Sequence, residues 1–391
     1  MIESLTLGGA EKSLVTLLNL LDYDKYDVDL LLFAQGGAFQ ELLPSKVNLL
    51  HIPDYFEYNR IPWNNFIKKA KHPRKMVAQL RYSILLRMKN FNHIEKAVLL
   101  WKSSHKCFDI LPKSYDVAIA YAQGLPTFFV AEKVTAKIKA AWINVIYRPQ
   151  GACLDFVRPF YEKFDFVNAV SDAVAQQIQE TFALPTDKIV RINDILDSDF
   201  ATKMAQIPSD VEKGMIGSGT KILTVGRLSA MKGYDLAIDA ARILAERGID
   251  FIWYVVGDGA LREELERQIA KNRLEDRFIL LGSRKNPYPY FRACDLYVQS
   301  SKYEGFGITL AEAKMFHKPI VTTDFDAVHA QIVNEKNGLI VDISAQGIAE
   351  GVVRMLTDLE LKENCMHNLE RENVGNTEEI EKFYDLIESE T

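Results

Sequence analysis

The stretch "DLYVQSSKYEGFGITLAEAKMF", residues 295–316, changes period twice. "DLYVQSS" is a short apolar run with β-branched and aromatic residues and reads as a buried strand. "KYEGFG" carries two glycines and reads as a loop. "ITLAEAKMF" has helical spacing. Strand, loop and helix in that order form one half of a parallel βαβ unit. Glu304 opens the loop and Glu312 falls on the second turn of the helix. A carboxylate accepts up to two hydroxyl donors, such as those of a sugar or a ribose. The free amides of Gly305, Phe306, Gly307, Ile308 and Thr309 face the same loop and suit phosphate or sugar oxygens.

The same alternation runs outward in both directions. "DVDLLLF", "VNLLHI", "DVAIAYA", "KAAWINV", "DFVNAVS" and "KIVRIND" read as buried strands of a first half. "KILTVG", "FIWYVVG", "RFILLG", "DLYVQS", "PIVTTD" and "GLIVDI" read as those of a second. Helical patterns lie between them; in residues 234–248, Leu236, Ala240, Ile243 and Leu244 make an apolar stripe that Gly248 stops. The fold class is therefore α/β, with parallel sheets in doubly wound domains. A chain of 391 residues is long for one core and suggests two domains. The polar, glycine-bearing stretch 209–220 marks the break. The expected division is 1–205 for the first domain, 206–217 for a linker, 218–375 for the second domain, and 376–391 for a last helix packing back on the first. "MIESLTLGGAEKS" leaves about four residues before its glycine turn, fewer than an ordinary strand. The first strand is short, or the natural N-terminus lies upstream of Met1.

The hydrophobic share of 48% and charged share of 26% fit a globular protein. No apolar run approaches the length of a membrane span, and no secretory pattern opens the chain. Cys107, Cys153, Cys294 and Cys365 are too scattered for a zinc or disulfide framework, which suggests a reducing cytoplasm. The net charge of −6 is uneven. Residues 60–106 hold twelve Lys/Arg and one acid, Glu95. A solvated helical face explains this, and so does a patch for an anionic partner. The apolar residues interleaved in "QLRYSILLRMKNF", 79–91, fit an interfacial helix better than a nucleic-acid groove, so no nucleic-acid partner is expected.

Ligands of a doubly wound sheet bind at the carboxyl ends of its strands. "LGGAEKS", 7–13, places Gly8 and Gly9 before a helix, and is a plain tight turn or an anion site. "VGRLSAMKGYD", 225–235, places Arg227 and Lys232 on one loop, either as surface cations or as a diphosphate clamp. "VVGDGALREEL" begins like a dinucleotide fingerprint, but Arg262 stands where its third glycine belongs, which disfavours a nicotinamide cofactor. Glu312 alone also admits a plainer reading, as a surface acid on a helix, though the stretch favours the sugar-nucleotide one.

The ordered set GGAE, GRL…KG, GDG and E-x7-E resembles the retaining GT-B glycosyltransferases of family 4. The resemblance covers nearly the whole chain and is strongest over 221–343. It implies two Rossmann-like domains with a cleft between them, and transfer of a sugar from a nucleotide-sugar donor without a metal or other cofactor. By family habit the nucleotide is UDP, with GDP behind it. The resemblance gives Arg227 and Lys232 the donor diphosphate, Glu304 the transferred sugar, and Gly305, Phe306 and Gly307 the loop against it. Ile308 and Thr309 match the amides near the phosphates, and Glu312 the acid on the ribose. Gly282, Ser283 and Arg284 match the turn at the base, and Gly9 the glycine near the diphosphate. Many relatives carry a histidine near the position of Asn144; none of the seven histidines falls there, so Asn144 is the acceptor-side candidate and no general base is assigned.

The expected acceptor is a saccharide or lipid-linked saccharide in bacterial cell-surface polysaccharide synthesis. The expected location is cytoplasmic, with the basic segment 60–106 on the inner face of the cell membrane; Lys68, Lys69, Lys71, Arg74 and Lys75 are its candidate contacts. Two rivals remain. One is a metal-dependent transferase using an acidic triplet at 22, 27, 197 or 324. The other is a non-catalytic sugar-nucleotide-binding or scaffold protein of a membrane glycan assembly line.

Overall fold

The computed structural model describes residues 1–62, 64–207, 211, 215, 219–372 and 374–389. Two compact units emerge. The first holds 1–6, 10–193 and 378–391; the second holds 7–9 and 194–377. The change therefore falls ahead of the expected end at 205. The helix Ser198–Met204 goes with the second unit because Asn286 Nδ2 donates to Met204 O at 2.7 Å and Phe200 packs edge-on against Tyr288. Most of the expected linker, 206–217, lies outside the described residues.

In the first unit the strands are β1 (Asp29–Leu30), β2 (Asn48–Leu49), β3 (Ser114–Ala120), β4 (Thr135–Ile143), β5 (Phe166–Ala169) and β6 (Ile189–Arg191). β1 pairs with β2, and β3 to β6 pair in sequence order, all in parallel. The first residues of the chain bridge the two groups. Phe33 N donates to Glu3 O at 2.9 Å, and Tyr121 N donates to Met1 O at 2.8 Å. β1 and β2 are shorter than their apolar runs. Asp29 ties this edge together, accepting from Asn48 Nδ2 (2.7 Å), Lys113 Nζ (2.8 Å) and Tyr115 OH (3.1 Å).

The last helix, Glu379–Ile387, belongs to this unit. Tyr384 stacks on Tyr26, Phe383 packs against Trp142, and Glu379 accepts from Asn193 N at 2.9 Å.

The second unit has β7 (Thr220–Val225), β8 (Phe251–Val256), β9 (Phe278–Gly282), β10 (Leu296–Gln299), β11 (Ile320–Thr323) and β12 (Leu339–Val341). They form one parallel sheet in the order β12-β11-β10-β7-β8-β9. Read from the other edge, this is the 3-2-1-4-5-6 order of a Rossmann sheet. Ile222, Trp253, Val255, Val298 and Val321 from the strands pack with Ala237, Ala241, Ile348 and Val352 from the helices Tyr234–Glu246 and Ala345–Thr357. Residues that point the other way, such as Leu223, Tyr254 and Tyr297, are buried as well, so the sheet is covered on both faces and its apolar runs are continuous. The order reverses between β7 and β10, and their carboxyl ends carry the two loops singled out above.

Candidate functional site

The loop after β7 is shaped by close backbone approaches. Gly226 N donates to Val256 O and Leu228 N to Asp258 O, both at 3.0 Å, which laces this loop to the end of β8. A Cβ on Gly257 would stand 1.9 Å from Gly226 O, so no larger residue fits there. Gly233 closes the loop with φ +63° and would bring a Cβ 2.0 Å from Ser300 O. The loops after β7 and β10 are further joined by Lys302 N to Met231 O at 2.7 Å and Ser300 Oγ to Lys232 O at 2.8 Å.

This lacing brings Lys232 and Glu304 together, with Nζ to Oε1 at 2.5 Å. The pair is mostly buried, and two more donors converge on the same oxygen: Gln299 Nε2 at 2.6 Å and Ser301 Oγ at 2.7 Å. Gln299 is itself fixed, because its Oε1 accepts from Tyr297 OH (2.5 Å) and Thr309 Oγ1 (3.2 Å). A carboxylate with three charge-directed donors on one oxygen is held in place. Its second oxygen, Oε2, has no protein partner among the described residues. Arg227 is exposed and makes no ion pair among the described residues.

Gly305 and Gly307 are buried in the loop, and Gly307, at φ +90°, caps the helix Ile308–Met315. Gln331 Nε2 donates to Phe306 O, which ties this loop to the segment after β11. Ile308 is almost fully covered and Thr309 half-buried. Gly9, which groups with this unit, would place a Cβ 3.0 Å from Ile308 Cδ1.

Glu312 is buried, only 2% exposed. It is not the surface acid that its helical position alone allows. Its carboxylate accepts from Tyr288, and burial, then the charge of Glu312, push the Tyr288 phenol well up. Gly282, at φ +78°, ends β9, followed by the exposed Ser283 and half-buried Arg284. Arg284 Nε donates to Tyr290 OH at 3.0 Å. Arg262, where a dinucleotide fingerprint would have its third glycine, donates from its guanidinium to Leu280 O at 3.3 Å.

Asn144 belongs to the other unit. It follows β4, donates from Nδ2 to Tyr121 O at 2.8 Å, and leaves its buried Oδ1 without a partner among the described residues. No cluster of three His, Cys, Asp or Glu side chains suited to a metal occurs among the described residues.

The structure thus gathers Lys232, Glu304 and the loop 305–309 at the switch point of one sheet, with Arg227 on the same β7 loop. Gln299, Ser301, Tyr288 and Gln331 also hold this arrangement together. Sequence reasoning passed over all four, because neutral polar side chains in apolar surroundings carry no local motif.

Residues 209–371 match the family described as Glycosyl transferases group 1. The chain is similar to alpha-D-kanosaminyltransferase of Streptomyces kanamyceticus, with 28% identity over 51% of this chain and 53% of the relative. It is also similar to the N-acetylgalactosamine-N,N'-diacetylbacillosaminyl-diphospho-undecaprenol 4-alpha-N-acetylgalactosaminyltransferase of Campylobacter jejuni. That identity is 32%, over 36% of this chain and 38% of the relative. The chain spans about half the length of the first of these curated relatives and less of the second. Among solved structures, Anabaena HepE in complex with UDP and glucose aligns over 100% of this chain and 99% of its own, with a TM-score of 0.66 at 18% identity. That likeness shows the fold, α/β of the GT-B type with two Rossmann-like units.

Proposed function

We propose that this protein is a retaining, metal-independent glycosyltransferase that moves a sugar from a UDP-linked donor to a saccharide or lipid-linked saccharide acceptor. The observation that carries the reading is the Lys232–Glu304 pair across the β7/β10 switch point, beside the amino end of the helix Ile308–Met315. As the sugar–phosphate bond breaks, negative charge grows on the diphosphate and positive character on the anomeric carbon. Arg227, Lys232 and the helix amides answer the first charge, and fixed donors of this kind lower the barrier. Oε2 of Glu304 takes a hydroxyl of the transferred sugar while Oε1 stays clamped. Glu312 takes the ribose hydroxyls, with Tyr288 setting its direction. Gly282, Ser283 and Arg284 meet the base. In this scheme a phosphate oxygen of the donor takes the acceptor hydroxyl's proton as the hydroxyl oxygen bonds to the anomeric carbon, and no side chain is assigned as general base; Asn144 is the acceptor-side candidate.

UDP is favoured because a structural neighbour holds UDP and glucose. A lipid-linked acceptor in cell-surface glycan synthesis is favoured because a relative is named for a diphospho-undecaprenol substrate. Product analysis of the anomeric linkage, with and without EDTA, tests the reading. Retained configuration and full activity in EDTA support it. Inversion, or loss in EDTA with recovery on added manganese, contradicts it. Neither transfer nor donor hydrolysis, with donor binding intact, assigns the chain to binding or scaffolding instead.

A further inference from the structure

The helix Pro73–Leu85 buries only Ala78. Its outward face carries Val77, Leu80 and Ile84 at helical spacing, with Met88 one turn further on. Val77, Ile84 and Met88 are 61%, 60% and 72% exposed, and Ile67 on the preceding helix is 79% exposed. Large apolar side chains left this open in a row mark a contact surface. The cations on the same face are Arg74 and Arg81, with Arg87 beyond the helix and Lys68 and Lys71 before it, all exposed. None of these five makes an ion pair among the described residues, and residues 67–88 contain no acid. Two of the expected contacts drop out. Lys69 is buried, donating to Gln79 Oε1 at 2.7 Å over the Tyr58 ring, and Lys75 is largely covered and pairs with Asp54 at 3.3 Å.

The mixture selects the partner. A nucleic-acid groove would use the cations but has no place for a row of aliphatic side chains, and no aromatic residue stands in this exposed row for base stacking. An apolar protein groove would leave five cations to be desolvated. A bilayer with anionic headgroups accommodates both, with aliphatic groups at the acyl boundary and cations at the phosphates. No helix among the described residues is long and apolar enough to cross a membrane. We propose that residues 67–88 form a docking face for an anionic lipid bilayer and that the helix Pro73–Leu85 lies in the plane of the interface.

Flotation of the full chain with phosphatidylcholine vesicles, with and without phosphatidylglycerol, at low and high salt, tests this. Binding should require phosphatidylglycerol and weaken with salt. Each reversal in Arg74→Glu/Arg81→Glu should weaken it by about fivefold or more. Val77→Ser/Ile84→Ser/Met88→Ser should weaken it at either salt. All five side chains face solvent, so the variants should fold; nucleotide-sugar stabilisation of the second unit gives a readout separate from the vesicles. Failure of the unaltered chain to bind phosphatidylglycerol vesicles overturns the proposal. So does wild-type binding by either variant, or a concentration-dependent dimer in sedimentation that the serine variant dissolves while vesicles are ignored.

Discussion

Lys232 Nζ lies 2.5 Å from Glu304 Oε1, joining two loops that leave neighbouring strands of one parallel sheet. Each charge is held by the other, so the pair should act as a unit. Lys232→Met and Glu304→Gln should each lower turnover about 10²-fold or more, the scale of a lost charge-stabilising donor. The double variant should lose little beyond the worse single variant, since coupled residues are not additive. Single-turnover rates of all three check this. Losses that simply add would show that the two side chains act apart.

Tyr288 donates to the buried carboxylate of Glu312. Tyr288→Phe keeps the ring and removes the donor. A hydrogen bond to a charged group contributes about 1.5–3 kcal/mol. The variant should therefore weaken donor binding by about tenfold or more, with much less change in turnover of the bound donor. Calorimetric titration and saturation kinetics separate the two effects.

His317 follows the helix Ile308–Met315 with φ +50°, and Lys318 N donates back to Ala313 O at 3.2 Å. This is a left-handed helix stop occupied by a residue with a Cβ. His317→Gly should relieve strain and raise stability by about 0.5–1 kcal/mol, net of the added freedom of the unfolded chain. A urea midpoint that does not rise would show that the histidine side chain contributes packing of its own.

Asp29 is pulled two ways. Burial raises its pKa, but hydrogen bonds from Lys113, Asn48 and Tyr115 lower it more, leaving it below the ordinary 3.8. A depressed carboxylate stabilises the fold above its unfolded value, and that contribution disappears as pH falls through the folded one. Asp29→Asn should cost about 2 kcal/mol near neutral pH and flatten the loss of stability below about pH 4. Urea midpoints across the acid range check both. A parallel shift at every pH would show that Asp29 does not titrate with folding.

The strands β7 to β12 were readable because each is covered on both faces, which writes an unbroken apolar run into the chain. β1 and β2 were overread. Their runs are just as apolar, but the pairing that decides strand length comes from distant residues. Lys232 and Glu304 stood out as a charge beside a glycine in a strand-end loop. Tyr288 and Gln331 did not, because each meets its partner across some 25 residues of chain, and nothing local marks it. The basic segment was visible as a charge count. Only the structure separates Arg74 and Arg81, which face outward, from Lys69, which a tyrosine ring and a glutamine hold inside.

The most direct test of the donor site is a thermal-shift and hydrolysis screen of UDP-, GDP-, ADP- and CMP-sugars against the protein and its Glu312→Ala variant. The account predicts that UDP-sugars stabilise the protein, that slow hydrolysis accompanies them, and that both effects vanish in the variant. Stabilisation by none of the four, or equal stabilisation of the variant, would contradict it.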